Sequence, residues 1–344
     1  MKTDILKIDR HRPAGLEPAA RILRGGGLVA FPTETVYGLG AVYNNEKALL
    51  NIFAVKGRPA DNPLILHIYD LDQLSQIVSS INFLAEKLIE RYWPGPLTLI
   101  FPKRPEISAV VTANLDTVAV RMPSDPVARE LLRLTDLPVA APSANLSGKP
   151  STTSGEHVIK DLAGKIELII DAGPCPAGVE STVLSLTGAA PVLLRPGVIT
   201  REEMEEVLGK PILMAKPGDS ERPQAPGMKY RHYAPEAPVV LFEGQSEKIV
   251  PEINRQLAAQ KQGQKAVVLG TTENIANYHN EWTLDMGPRE HPEIIAGRIF
   301  QLLRFCDQLQ ADIIFIEGIA DQGVGTAVIN RLRKAAGGNI VHVS

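Results

Sequence analysis

Long apolar runs, paired cysteines and aromatic side chains are scarce in this chain, and each scarcity excludes something. No apolar stretch approaches the roughly 20 residues needed to span a bilayer. The start, Met1-Lys-Thr-Asp-Ile-Leu-Lys7, carries no apolar signal core. A cytoplasmic protein with no membrane partner is the expectation. The two cysteines, Cys175 and Cys306, stand far apart, so neither a disulfide framework nor a zinc spacing can be read. Aromatics make up 5% of the chain and the net charge is −3, which argues against a broad nucleic-acid footprint while leaving room for a local basic cleft. Nucleotide fingerprints are missing too. Ser147-Gly-Lys-Pro-Ser151 lacks the upstream glycine of a phosphate-binding loop and has Pro150 where Ser or Thr should stand. Gly323-Val-Gly-Thr-Ala-Val328 lacks the third glycine of a dinucleotide turn and reads as a turn with helix packing. No Ser-His-Asp order and no metal-ligand spacing emerges.

What is present is a soluble-type composition, 44% apolar and 22% charged, over 344 residues, long enough for two domains. Periodicity places helices near 18–24, 46–55, 71–78, 83–92, 126–134, 154–161 and 201–208. Strands are expected near 28–31, 64–68, 97–101, 117–121, 138–141, 167–170, 181–186 and 192–194. This mixed α/β domain spans 1–212. A Pro- and Gly-rich stretch, 213–237, reads as a linker, yet Lys229, Tyr230, Arg231, His232 and Tyr233 crowd its second half as if to touch something. From 238 to 344, strands alternate with helices, which implies a smaller, mostly parallel sheet.

Candidate chemistry gathers where strands end. Lys56-Gly-Arg58-Pro-Ala-Asp-Asn62-Pro sets two cations in a proline-stiffened turn between a helix and a strand, a seat suited to a polyanion such as a nucleoside triphosphate. The loop Pro32–Gly40 offers the hydroxyls of Thr33 and Thr35, with glycines 38 and 40 allowing close backbone approach. The loop Ala141–Ser151 is dense in short donors: Ser143, Asn145, Ser147 and Ser151. Arg121 and Arg195 each end a strand before proline or a residue away from it, a geometry suited to clamping carboxylate or phosphate. His67, inside an apolar strand, reads as a satisfied core histidine, and Cys175 as inert. Any one such strand end is ordinary. Several in one domain suggest a shared anion-binding cleft.

With these residues assembled, the chain resembles the threonylcarbamoyl-AMP synthases, the YrdC-like family, in their long two-domain form. The matching stretches are Phe31-Pro-Thr-Glu-Thr-Val-Tyr-Gly-Leu39, Lys56–Leu64, Trp93-Pro-Gly-Pro-Leu-Thr98, Val120-Arg-Met-Pro123, Ala141-Pro-Ser-Ala-Asn-Leu-Ser-Gly148, Glu180-Ser-Thr-Val183, Leu194-Arg-Pro-Gly197 and Ala225–Pro235. The resemblance implies a YrdC-like twisted mixed sheet with helices, plus a smaller Rossmann-like α/β C-terminal domain. It implies condensation of L-threonine, bicarbonate and ATP, with Mg²⁺, into threonylcarbamoyl-adenylate and pyrophosphate. The adenylate would be handed to the machinery that modifies a tRNA adenosine; direct tRNA contact is left open. Carried over, the ATP contacts fall on Lys56, Arg58, Asn62, Thr117, Ser143, Asn145, Ser151, Arg195 and Tyr230. The threonine contacts fall on Thr35, His67, Arg121, Ala141 and Ser181.

This inventory suits a reaction in which an N-carboxylate is already the nucleophile. Alignment and charge neutralisation are then the main tasks, and Lys56 and Arg58 are the catalytic candidates, with Arg195 beside them. Tyr230, in the linker, would lie over the nucleotide as a lid. Two rival readings are a related enzyme that makes carbamoyl-adenylate from carbamoyl phosphate, and an RNA-binding module. The linker stretch counts against the first, and the acidic balance against the second.

Overall fold

The structure, a computed structural model, describes residues 1–215 and 233–344. Tyr230 and most of the expected linker, with the proposed lid, lie outside the described residues. Those described fall into two compact units, one of residues 1–147 and 151–215, the other of 148–150 and 233–344.

In the first unit the strands are β1 (Asp4–Lys7), β2 (Val29–Phe31), β3 (Gly38–Val42), β4 (Ile65–His67), β5 (Leu97–Pro102), β6 (Thr117–Arg121), β7 (Val139–Ala140), β8 (Leu168–Asp171), β9 (Thr182–Ser185), β10 (Val192–Arg195) and β11 (Leu213–Met214). Among the described residues they join one mixed sheet in the order β1-β8-β2-β3-β7-β4-β6-β5-β9-β10-β11. Its helices are α1 (Glu17–Arg24), α2 (Glu46–Lys56), α3 (Leu71–Ser75), α4 (Phe83–Tyr92), α5 (Ala109–Thr112), α6 (Pro126–Thr135), α7 (Gly155–Leu162) and α8 (Arg201–Leu208). Local chemistry sets their ends. Asn45, Asp70, Asn82, Asp125, Ser154 and Thr200 each accept a backbone N–H at a helix N-terminus.

Period-2 alternation gives the β4–β10 half of this sheet two different faces. Leu64, Leu66, Leu97, Leu99, Phe101, Val118, Val120 and Leu184 belong to the large core, with the apolar sides of α2, α4, α7 and α8. On the opposite face the apolar residues are few: Ile65, Ile100, Ala119 and Val183 form a small floor. At the other half of the sheet, α1 and α6 cover that second face. The area of this face beside them is where polar side chains collect.

Three differences from the sequence expectation have plain causes. The segment expected to be loop through Gly40 includes β3, whose glycines conceal its strand character. An ideal Cβ on Gly40 would sit 2.9 Å from both Phe31 and Val139 side-chain atoms. The glycine makes room for protein neighbours across the sheet, not for a ligand. Leu213 and Met214, placed in the linker, instead pair with β10. β1 escapes notice because it is a short, exposed edge strand alongside β8.

The second unit has β12 (Val239–Gly244), β13 (Ala266–Gly270), β14 (Thr283–Asp285), β15 (Ile313–Glu317) and β16 (Ile340–Val343), with α9 (Ser246–Ala258), α10 (Pro292–Gln308) and α11 (Val324–Ala336). The sheet order is β14-β13-β15-β12-β16, and every pair is parallel. This is the Rossmann-like arrangement expected. Glu317, fully buried at the end of β15, is satisfied by Thr271, Asn274, Tyr278 and Arg289, which ties down the segment after β13. Gly323 does open a turn into α11, as anticipated. Among the described residues, no helix is long and apolar enough to cross a membrane.

Candidate active site

One cross-strand register line builds the site. Val139 pairs with His67, His67 with Arg121, Arg121 with Thr98, Thr98 with Val183, and Val183 with Arg195. Directly paired residues project from the same face of a sheet. His67, Thr98, Arg121 and Arg195 therefore share one face, although more than 120 residues of chain separate the first from the last.

Contacts follow this line. The Arg121 guanidinium is 3% exposed and is gripped on three sides. Its Nε donates to Gly95 O at 3.2 Å, its Nη1 to Thr35 Oγ1 at 2.8 Å, and its Nη2 lies 2.7 Å from Glu34 Oε1. The Trp93–Pro96 turn thus supplies a carbonyl, and the Pro32–Val36 loop a hydroxyl and a carboxylate. Thr33 folds that loop on itself by donating to Val36 O at 2.7 Å. Thr33 Oγ1 also contacts Thr35 Oγ1 at 2.8 Å, either hydroxyl being able to donate.

At the next strands, Arg195 donates through Nε to Ser181 O and through Nη2 to Ser181 Oγ, both at 3.0 Å. Ser181 Oγ also contacts Thr98 Oγ1 at 2.8 Å. The residue expected to meet ATP is thus in direct contact with one expected to meet threonine. Gly197 completes this corner. A Cβ there would lie 2.3 Å from Thr182 N and 2.8 Å from Ser181 C, so only glycine lets the Leu194–Gly197 segment close on Ser181.

Lys56 organises the second part. It is the last residue of α2 and continues the buried stripe Leu49–Ile52–Phe53, so it is 3% exposed. Its Nζ donates to Ser143 O and Asn145 O, while Ser147 N donates back to Lys56 O at 2.9 Å. Ser143 donates to Asn145 Oδ1, and Asn145 Nδ2 to Leu146 O. The Ala141–Ser147 loop is therefore wrapped around a buried ammonium. It meets the Thr35 loop through backbone, with Ala144 N on Tyr37 O and Gly38 bridged to Ser143. Ala141 N rests on Ile65 O at 3.0 Å.

The remaining candidates hold more peripheral or local places. Arg58 packs over the Phe53 ring at 5.6 Å and donates to Asn62 O at 3.1 Å. Thr117 opens β6 on the site's face, four residues from Arg121, or about 13 Å along a strand. Ser151 donates to the buried carboxylate of Glu180. Tyr230 lies outside the described residues. Sequence reasoning assigned no role to Glu34 or Thr98. The signal for Thr98 was a lone polar position in Leu97-Thr-Leu-Ile100, in phase with His67 and Arg121. For Glu34 it was an acid between two threonines in a run of buried residues.

Electrostatics fit alignment rather than proton abstraction. Burial, reinforced by the Arg121 charge, pushes His67 down to about 3, so it is neutral and donates Nδ1–H to Ile65 O. It is not a base at neutral pH. Burial would raise Glu34, but the Arg121 charge and hydrogen bond hold its carboxyl below the ordinary value. Burial pushes the Cys175 thiol up to about 12, which keeps it inert. Among the described residues no three His, Cys, Asp or Glu side chains cluster to hold a metal.

Comparison with known proteins identifies the family. Residues 21–197 match the Sua5/YciO/YrdC family, described as telomere recombination, and residues 199–337 match the threonylcarbamoyl-AMP synthase C-terminal domain. The chain is 49% identical over 330 residues to a threonylcarbamoyl-AMP synthase of Pyrococcus abyssi, covering 94% of this chain and 95% of that one. It is likewise 49% identical over 326 residues to that of Bacillus subtilis, covering 94% and 93%. A structure of P. abyssi Sua5 complexed with L-threonine superposes with a TM-score of 0.94 at 47% identity, covering 99% of this chain and all of that one. The chain belongs to the threonylcarbamoyl-AMP synthase family in its two-domain form, enzymes of the nucleotidyltransferase type.

Proposed function

We propose that this protein condenses L-threonine, bicarbonate and ATP into threonylcarbamoyl-AMP and pyrophosphate, in the cytoplasm, as the supply step for threonylcarbamoyl modification of tRNA. The observation that carries the reading is the direct contact of Arg195 with Ser181, on the same register line as Arg121. It lets a nucleotide side and an amino-acid side share one wall. That the P. abyssi relative has been captured with L-threonine supports the amino-acid half.

In this mechanism Arg121 receives the threonine carboxylate, and Thr35 and Ser181 hold its polar groups. His67 and Ala141 line the pocket. The threonine amine adds to bicarbonate, forming the N–C bond and releasing water. An oxygen of the resulting N-carboxylate attacks the α-phosphorus, and the bond to pyrophosphate breaks. Mg²⁺ brought with ATP would neutralise phosphate charge. Arg195 and Arg58 offset the charge that grows on the leaving group, and Lys56 holds the Ser143–Asn145 loop against the nucleotide while adding its own positive field. Asn62, Thr117, Ser143, Asn145, Ser151 and Tyr230 complete the proposed nucleotide contacts. Rejection of serine rests on one methyl group, worth about 1–3 kcal/mol, so it should be modest.

Pyrophosphate release from ATP tests the reading. It should require L-threonine and bicarbonate together, and Arg195→Met should reduce it at least about a hundredfold, the scale set by losing one transition-state charge partner. Release without either co-substrate would remove the proposal.

A further inference from the structure

Among the described residues Glu34 is the one acid paired with Arg121, and the proposed reaction assigns it nothing. Its side chain is 12% exposed and that of its partner Arg121 4%, so the pair is formed largely out of water. Oε1 lies 2.7 Å from Arg121 Nη2 and accepts the Ser124 N–H at 3.1 Å. The backbone beneath is anchored as well, because Glu34 O accepts Ala177 N–H at 2.9 Å and Thr33 closes the turn by accepting Thr35 N–H and Val36 N–H. Successive residues of one loop thus grip the two ends of the guanidinium fork, Thr35 at Nη1 and Glu34 at Nη2. Gly95 O holds Nε. A guanidinium is planar, so the hydrogen bonds at Nε and Nη1 and the close ion pair at Nη2 determine its plane, while Nη2 makes no hydrogen bond among the described residues and Nη1 keeps a second N–H.

We propose that Glu34 is a positioning residue for the amino-acid substrate: together with Thr35 it sets the plane of Arg121, and so the direction in which the N–H groups of its two terminal nitrogens meet the substrate carboxylate. This rests on Arg121 being the carboxylate ligand. A carboxylate bound by a preset fork needs no reorganisation, and the anionic partner keeps the buried guanidinium from turning toward other acceptors. Glu34 does not touch the substrate. Its effect therefore falls on amino-acid affinity and leaves the nucleotide side alone.

The test uses the full chain, with L-threonine affinity measured by calorimetry in the absence of nucleotide, and apparent KM values for threonine and ATP from pyrophosphate release. Glu34→Ala should weaken threonine binding about tenfold, equal to about 1.4 kcal/mol, with the KM for ATP within about twofold of the parent. Glu34→Asp keeps the charge but draws it back by one methylene, and should show a similar loss on a fully folded protein. Glu34→Gln, whose amide oxygen can still accept from Nη2 and from Ser124, should recover to within about threefold. Threonine affinity unchanged in Glu34→Asp, or a rise in both KM values together, would overturn the proposal in favour of a purely structural staple. Tighter binding in Glu34→Gln would overturn it in favour of simple charge attenuation. Arg121→Lys separates the two levels. If it binds threonine normally, the assignment of Arg121 fails and this inference falls with it. If it binds poorly while the Glu34 variants do not, only the inference falls.

Discussion

Replacing Lys56 with methionine is the most informative perturbation, because the structure makes this cation a strut. Methionine nearly matches the length of the buried stem but donates nothing. Ser143 O and Asn145 O would both lose the Lys56 ammonium as a donor. Losing a hydrogen bond from a charged group costs about 1.5–3 kcal/mol each, and removing a desolvated ammonium gives part of that back, so a net loss of about 3 kcal/mol is expected. For a unit of about 200 residues that lowers the midpoint by about 6–12 °C, at about 2–4 °C per kcal/mol. Thermal unfolding of the full chain, read by far-UV circular dichroism, measures the shift. Pyrophosphate release should also fall, with the KM for ATP rising more than that for threonine, because the Ser143–Asn145 loop lies on the proposed nucleotide side. A variant that melts within about 1 °C of the parent while losing activity would refute the strut and make Lys56 a direct ligand alone.

Other expectations follow from the same geometry. Thr98→Val removes the hydroxyl partner of Ser181 at nearly constant volume and should raise the threonine KM about tenfold while costing about 1 kcal/mol of stability; an unchanged KM would show that Ser181 needs no such partner. Gly197→Ala forces a Cβ into the Ser181–Thr182 backbone and should cost about 1–3 kcal/mol and impair the use of both substrates, read by denaturant titration and kinetics. His67 is held at about 3 in the folded chain against 6.5 unfolded, so its contribution is whole above about pH 6.5 and is lost as pH falls. At pH 5 the loss is about 2 kcal/mol, and Glu34, also lowered, adds to it below about its ordinary 4.5. His67→Asn should flatten the decline between pH 6.5 and 4, and an unaltered profile would mean that His67 does not drive it.

The chain's local patterns carried much of this protein by themselves. Helical spacing marked α4 and α8 to their end residues, and β6 was legible to the residue because Thr117–Arg121 alternates cleanly. The periodic stripe of α2 even contained the burial of Lys56, since that residue stands where the next apolar side chain would fall. The family resemblance supplied a list of site residues, but not their partners. β3 stayed hidden because its two glycines mimic a loop, and their reason lies in Phe31, Val139 and Ala141, which they meet across the sheet.

Order along the chain determined the elements, their ends and the chemical types brought to the strand termini, because those depend on neighbours within a few residues. Only the sheet's pairing decided that His67, Arg121, Thr98 and Arg195 stand in one row, and that Glu34 and Gly95 reach Arg121 from two other segments. A one-residue slip in any of those ladders would turn a member of the row to the opposite face, and register is set by burial across strands, which no local stretch contains.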